Sequence, residues 1–199
     1  YLTSDELEGR DSGSEGIEKA SVYLENLLKE NGIKPYFKTY RDTLSNYDKT
    51  SYNVVGYIEG TDKKLKNEFV IIGAHYDHIG KIAAVNGDDI GNGANDNATG
   101  TTAVTEVAKY FAKFKNNKRS ILFVFFSAEE KGLLGSSYYS DNPVFPLKNT
   151  VSNLNIDMIG RMDKEHENDP NYVYIIGSTM LSTELHNLSE MSGKTYAPN

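Results

Sequence analysis

Two runs in this chain, Glu68-Phe69-Val70-Ile71-Ile72-Gly73 and Ser120-Ile121-Leu122-Phe123-Val124-Phe125-Phe126, are apolar through their centres without alternation. A strand with one wet face alternates apolar and polar residues. Unbroken runs of this kind instead call for cover on both faces, as in a largely parallel sheet held between helices. The rest of the chain supplies those helices. After Ser14, apolar residues at Ile17, Ala20, Leu24, Leu27 and Leu28 keep helical spacing until Gly32 and Pro35 close the segment. An Ala/Val/Thr-rich stretch predicts a second helix over 98–115, with shorter ones near 133–140 and 180–191. Alternation at 36–40 and 52–58, with Asn46-Tyr47-Asp48 as a turn between them, predicts an antiparallel hairpin; further strands are expected at 152–157 and 172–176. Such β/α alternation marks the α/β class. At 199 residues, with no repeat, linker or low-complexity tract, the expectation is a single domain over 1–199.

Composition excludes several functions. No apolar run approaches the ~18 residues of a membrane span. The net charge of −7 is spread without a basic stripe, which argues against a nucleic-acid surface. With no cysteine there is neither a disulfide scaffold nor a thiolate metal ligand. The opening Tyr1-Leu2-Thr3-Ser4-Asp5 has no basic start and no apolar stretch, so it does not read as a signal peptide. The surplus of aromatics, 14 Tyr and 8 Phe, reads as core and sheet surface rather than as a substrate pocket.

Four short segments sit where strands or a Gly-rich loop should end: Ala74-His75-Tyr76-Asp77, Ala94-Asn95-Asp96-Asn97, Ser127-Ala128-Glu129-Glu130 and Asn155-Ile156-Asp157. That geometry brings an imidazole and several carboxylates to one sheet edge, where open α/β sheets bind ligands. Such a donor set suits zinc or manganese. Each residue also has an ordinary reading. His75 and Asp77, two apart and on one side of a strand end, are either ligand and orienting carboxylate or a solvated turn. Asp96 precedes a helix and is either a cap or a carboxylate bridging two cations, and Asn97 could take the cap instead. Glu129 and Glu130 repel each other after an apolar strand; a metal would relieve that repulsion, with one ligating and the other serving as general base. Asp157 is a ligand or a strand-end turn residue. His78 reads as a loop residue, and the loop over 80–97, with Gly80, Gly87, Gly91 and Gly93, is long enough to have a function.

Taken in order, Gly73-Ala74-His75-Tyr76-Asp77, Gly93-Ala94-Asn95-Asp96-Asn97-Ala98-Thr99-Gly100, Phe126-Ser127-Ala128-Glu129-Glu130-Lys131-Gly132-Leu133-Leu134-Gly135-Ser136 and Asn155-Ile156-Asp157-Met158-Ile159-Gly160 resemble the co-catalytic di-zinc aminopeptidases. That family also contains glutamate carboxypeptidase II and glutaminyl cyclase. The opening Tyr1 to Arg10 likewise looks like the start of the catalytic domain in bacterial members.

The resemblance implies a three-layer sandwich of the phosphorylase/hydrolase-like type, an eight-stranded, mixed, mainly parallel sheet between helices. By the same resemblance, His75 and Asp157 hold the first zinc, Asp96 bridges, Glu130 holds the second, Glu129 is the general base and Asp77 orients His75. It further implies hydrolysis of the N-terminal residue from a peptide substrate, and a secreted or periplasmic setting. In the family a His from a loop far downstream completes the second zinc site. Only 42 residues follow Asp157, and neither His166, in the charged loop 163–169, nor His186, on a predicted helix, matches that position. The chain is therefore expected to lack the last part of the catalytic domain. It is expected to hold at most one zinc well, at the His75 side, and to show little peptidase activity. Glutaminyl cyclase chemistry on the same framework is the competing expectation, and a metal-free binding domain the third.

Overall fold

The computed structural model describes residues 1–167 and 171–196. They fall into two compact units, Tyr1–Gly160 and Arg161–Asn199. In the first, a short 3-10 stretch over Asp5–Arg10 leads into helix α1, Glu15–Glu30. Ser14 starts α1 as its sequence position suggests, its side chain accepting the Ile17 N–H at 3.3 Å. Gly32, at φ +68°, supplies the left-handed residue that turns the chain after it. Strands β1 (Lys34–Pro35), β2 (Arg41–Thr43), β3 (Tyr52–Ile58) and β4 (Phe69–His75) follow. Next come the hairpin β5 (Lys81–Val85) and β6 (Asp88–Ile90), helix α2 (Thr99–Phe114), β7 (Ser120–Phe126), α3 (Leu134–Asp141) and β8 (Thr150–Asn155).

The main sheet has the order β1-β3-β7-β4-β8, with β2 also on β3. β4 is parallel to β7 and β8, whereas β3 is antiparallel to β7. The two unbroken apolar runs are β4 and β7, and each consists of two interleaved period-two patterns. Ile121, Phe123 and Phe125, with Val54, Ile72 and Ala74, share a core with Leu24 and Leu28 of α1 and Val104 and Ala108 of α2. Leu122, Val124 and Phe126, with Val55 and Ile71, share a second core with Tyr139 of α3. All seven residues of β7 are buried, as expected for a strand covered on both faces.

Three expectations are corrected. Residues 36–40 form no strand: the ladder to β3 is made by β1 and β2, and the Tyr36 ring packs against Phe145 at 4.5 Å instead. The loop over 80–97 contains the β5/β6 hairpin, turned at Asn86-Gly87 with φ of +54° and +89° at the two residues, the chemistry of a type I′ turn. Residues 172–176 alternate but pair with nothing among the described residues, and Val173 and Ile176 stand exposed; a strand needs a neighbour for its backbone groups, which alternation alone does not supply. Among the described residues the strands form a six-stranded sheet plus a separate hairpin.

The second unit contains α4 (Ser178–Leu181) and α5 (Thr183–Tyr196), where one helix over 180–191 was expected. Its charged loop is described as far as Glu167, the remaining residues to Asp169 lying outside the described ones. No helix among the described residues is long and apolar enough to cross a membrane.

One strand residue carries a stability prediction. Asp42 on β2, opposite Asn53 in the ladder, is 8% exposed, and one of its carboxylate oxygens has no hydrogen-bond partner. Burial pushes its pKa up to about 6, against a smaller downward pull from Asn53. A folded-state value above the ordinary 3.8 means that the contribution is fully present below pH 3.8 and is lost as pH rises through about 6. Asp42→Asn should therefore stabilise the fold at pH 7 by on the order of 2 kcal/mol and do little near pH 3.5. Urea melts at both pH values test this, and an equal effect at the two would contradict it.

Candidate metal centre

Three parallel strands deliver the site. His75 is the last residue of β4 and lies opposite Phe126 of β7, while Gly73 lies opposite Asn155 of β8. Pairing runs one residue further on each side, through Tyr76 N–H to the Phe126 carbonyl (3.0 Å) and Ile156 N–H to the Gly73 carbonyl (2.8 Å). The chains leaving β4, β7 and β8 therefore emerge together, bringing Asp77, Glu129, Glu130 and Asp157 to one edge. Asp96 arrives from the turn 94–98 that opens into α2.

His75 Nε2 lies 3.1 Å from Asp96 Oδ1, 3.5 Å from Asp157 Oδ1 and 4.0 Å from Glu129 Oε2. His78 Nδ1 lies 2.7 Å from Glu130 Oε1. Two groups of potential ligands result, His75/Asp96/Asp157 and His78/Asp96/Glu130, in each of which the ligand atoms lie within 4.8 Å of one another. Asp96 is common to both.

The frame around these groups is built from hydrogen bonds that span the chain. Fully buried Asp77 accepts Ser12 Oγ–H at 3.1 Å and the N–H groups of Glu129 and Glu130 at 3.2 and 3.3 Å. Its Oδ1 stands 3.6 Å from His75 Nδ1, beyond hydrogen-bond length, so towards the imidazole it acts as a charge. Ser12 Oγ also takes the Ala128 N–H at 3.0 Å, and Asn53 Oδ1 takes that of Ser127 at 3.2 Å, fixing the turn that aims Glu129.

On the other side, Asn97 settles the capping question. Its Oδ1 accepts the Gly100 N–H at 2.9 Å, leaving Asp96 free for other work. The same side chain holds both neighbours of Asp157, donating to the Ile156 carbonyl at 3.0 Å and accepting the Met158 N–H at 3.3 Å. Asn95 Oδ1 accepts the Gly160 N–H at 2.9 Å. Asp96 and Asp157 are thereby tied by the residues on either side of Asp96. The approach is close enough that a Cβ at position 100 would strike the Ile156 carbonyl, which is why glycine stands there.

Arg10 closes the frame from below. It is 1% exposed and donates to the carbonyls of Leu2, Tyr76 (2.8 Å), Asn92 (2.8 Å) and Gly93 (2.9 Å). Burial lowers its pKa to about 10, with Asp77 and Asp96 pulling the other way. One buried cation thus pins the exit of β4 to the loop carrying Asp96.

The electrostatics ask for positive charge. For His75, 3% exposed, burial is the largest influence and favours the neutral ring, yet Asp157 and Asp77 outweigh it and raise the pKa to about 10. Glu129 is also raised, first by burial and then by Asp77, Glu130 and Asp157, against the opposing pull of His75. An edge that gathers two imidazoles and several carboxylates has the donor chemistry of a borderline dication such as zinc.

All six residues singled out in the sequence, His75, Asp77, Asp96, Glu129, Glu130 and Asp157, lie at this edge. Sequence reasoning missed Arg10, Ser12 and Asn53; it read His78 only as a loop residue, and Asn97 as a possible cap but not as the side chain that holds both neighbours of Asp157. His166 and His186 belong to the second unit, where they bond to Asp163 (2.9 Å) and Ser178 (3.1 Å).

Residues 53–199 match the sequence profile of Peptidase family M28, well over half of the chain, and the chain belongs to that family. It is 37% identical over 118 residues to aminopeptidase YwaD of Bacillus subtilis, a match covering 57% of this chain and 23% of that protein. The chain therefore spans about a quarter of that relative's length. Among solved structures, a Zn-dependent exopeptidase from Parabacteroides distasonis superposes with a TM-score of 0.61 at 20% identity, covering 78% of this chain and 58% of that one. A glutaminyl cyclase from Bacteroides thetaiotaomicron reaches 0.60 at 21% identity, covering 85% of this chain and 65% of that one. At such identities the likeness defines the fold, a mixed sheet between helices of the zinc-exopeptidase type, and both chemistries share it.

Proposed function

We propose that the chain is the catalytic region of a zinc-dependent aminopeptidase that removes the N-terminal residue of peptides, with two metal subsites and Glu129 as general base. The observation that carries this reading is the pair of donor groups sharing Asp96, with Glu129 4.0 Å from His75 Nε2 and outside both. His75, Asp96 and Asp157 would hold one zinc, and Asp96 and Glu130 the other. Bound there, zinc acidifies water and polarises a carbonyl oxygen.

The chain's own residues do the rest. Glu129, raised in pKa and partly exposed, accepts the proton of the attacking water and hands it to the departing amine. Asp77 keeps that carboxylate in place through the two backbone N–H groups it accepts. The likeness to the B. subtilis aminopeptidase favours hydrolysis over cyclisation, since the fold itself serves both.

Full-length protein offered aminoacyl chromogenic substrates and N-terminal glutamine peptides side by side tests the reading. Chromophore release that is abolished by a chelator and restored by zinc is expected. Ammonia release from the glutamine peptides alone would make it a cyclase, and inertness to both would leave a binding domain.

A further inference from the structure

We infer that Ser12 is a positioning residue for the reaction, its side-chain oxygen holding the turn that presents Glu129. The inference rests on the general-base reading above. It adds a residue from the N-terminal lead, outside the stretch 53–199 that the family profile matches.

The turn after β7 offers four successive backbone N–H groups, and a buried side chain takes each of them. Asn53 Oδ1 accepts from Ser127 at 3.2 Å, Ser12 Oγ from Ala128 at 3.0 Å, Asp77 Oδ1 from Glu129 at 3.2 Å and Asp77 Oδ2 from Glu130 at 3.3 Å. Ser12 is fully buried, and its one hydroxyl proton goes to Asp77 Oδ2 at 3.1 Å, which leaves a lone pair for the Ala128 N–H. Its main chain is held as well, since the Tyr47 hydroxyl donates to the Ser12 carbonyl at 3.0 Å. The neighbouring Asp11 meets Lys131 Nζ at 2.5 Å, so residues 11 and 12 together grip the turn on both sides of Glu129 and Glu130.

The backbone inside this grip needs it. Ala128 is fully buried at φ +56°, the left-handed region in which the Cβ of an L-residue crowds its own backbone. Without the Ser12 oxygen, position 128 is free to relax toward ordinary φ, and that rotation displaces Glu129, the next residue. A misplacement of about 1 Å at a reacting group costs on the order of 10²-fold in rate. Of the three side chains, Ser12 gives the clean test. Asp77 also faces His75 at 3.6 Å, and Asn53 also donates to the Gly135 carbonyl at 3.0 Å, so replacing either disturbs more than the turn. The rival role for Ser12 is packing alone, a buried hydroxyl satisfied by its neighbours that contributes to stability and nothing more.

A double-mutant cycle on full-length, zinc-loaded protein separates the two roles. Ser12→Ala should lower kcat by ~10–100-fold, with KM within about twofold of wild type and zinc content unchanged. In a Glu129→Gln background the same change should cost less than about twofold, because a residue that acts through Glu129 then has nothing left to position. A second readout needs neither turnover nor metal. In the metal-free protein, hydrogen exchange at the Ala128 and Glu129 amides should quicken by about tenfold or more in Ser12→Ala, while amides at the centre of β7 keep their wild-type rates. An unchanged kcat, an equal loss of kcat in both backgrounds, or unchanged exchange at 128 and 129 each overturns the inference and leaves Glu129 as the base. If Glu129→Gln itself keeps turnover within about tenfold of wild type, the general-base reading falls and takes the inference with it. Should Ser12→Ala not fold, Ser12→Cys, which fills the same place with a weaker acceptor, carries the same cycle and the same exchange measurement.

Discussion

Glu129→Gln is expected to lower aminopeptidase turnover by ~10²–10⁴-fold, the usual worth of a positioned general base, while zinc content stays as in the wild type. Gln matches Glu in shape and cannot accept a proton. Glu129 lies outside both donor groups, so neither cation should notice the exchange. The same substitution has a signature in pH. Glu129 must be ionised to act, and its pKa is raised above the ordinary 4.5, first by burial and then by Asp77, Glu130 and Asp157. In the metal-free protein the Glu129 carboxyl should therefore titrate above an ordinary glutamate, and that step should be missing from the variant. Turnover within tenfold of wild type, at equal zinc content by atomic emission, would take the role of base away from Glu129.

How much of this centre the sequence discloses depends on the range of the forces involved. β4 and β7 are legible because burial on both faces writes itself into consecutive residues, and so are the segments that follow them, since a strand end is a local event. The Asn86-Gly87 hairpin was within reach on the same terms, as both residues adopt positive φ there. What stays hidden is cooperation at a distance. Arg10 acts through carbonyls at Tyr76, Asn92 and Gly93, and nothing near Arg10 in the sequence shows that its charge will be spent on backbone rather than on a carboxylate. Asn97 looks like a helix cap and is one, yet its second task is to hold the chain on both sides of Asp157. Residues 172–176 fail in the opposite sense: a strand-like alternation with no partner strand is only a pattern.

Asp96 is where the two subsites can be tested as one centre. Because it belongs to both donor groups, Asp96→Asn should weaken zinc uptake at both together, by 100-fold or more at each, whereas Asp157→Asn should weaken one alone. The comparison is clean because Asp96 does little for the fold. It is about one-third exposed, the α2 cap is made by Asn97, and Asn95 and Asn97 keep their hold on 156–160 whatever stands between them. Stability of the metal-free protein should consequently change by no more than about 0.5 kcal/mol, the range of surface substitutions away from special features. Zinc titration against a competing chelator reads the weakened uptake. Loss of a single ion in Asp96→Asn, with the other bound at wild-type affinity, would show that Asp96 serves one subsite and that the two cations, if both are held, do not share a bridge.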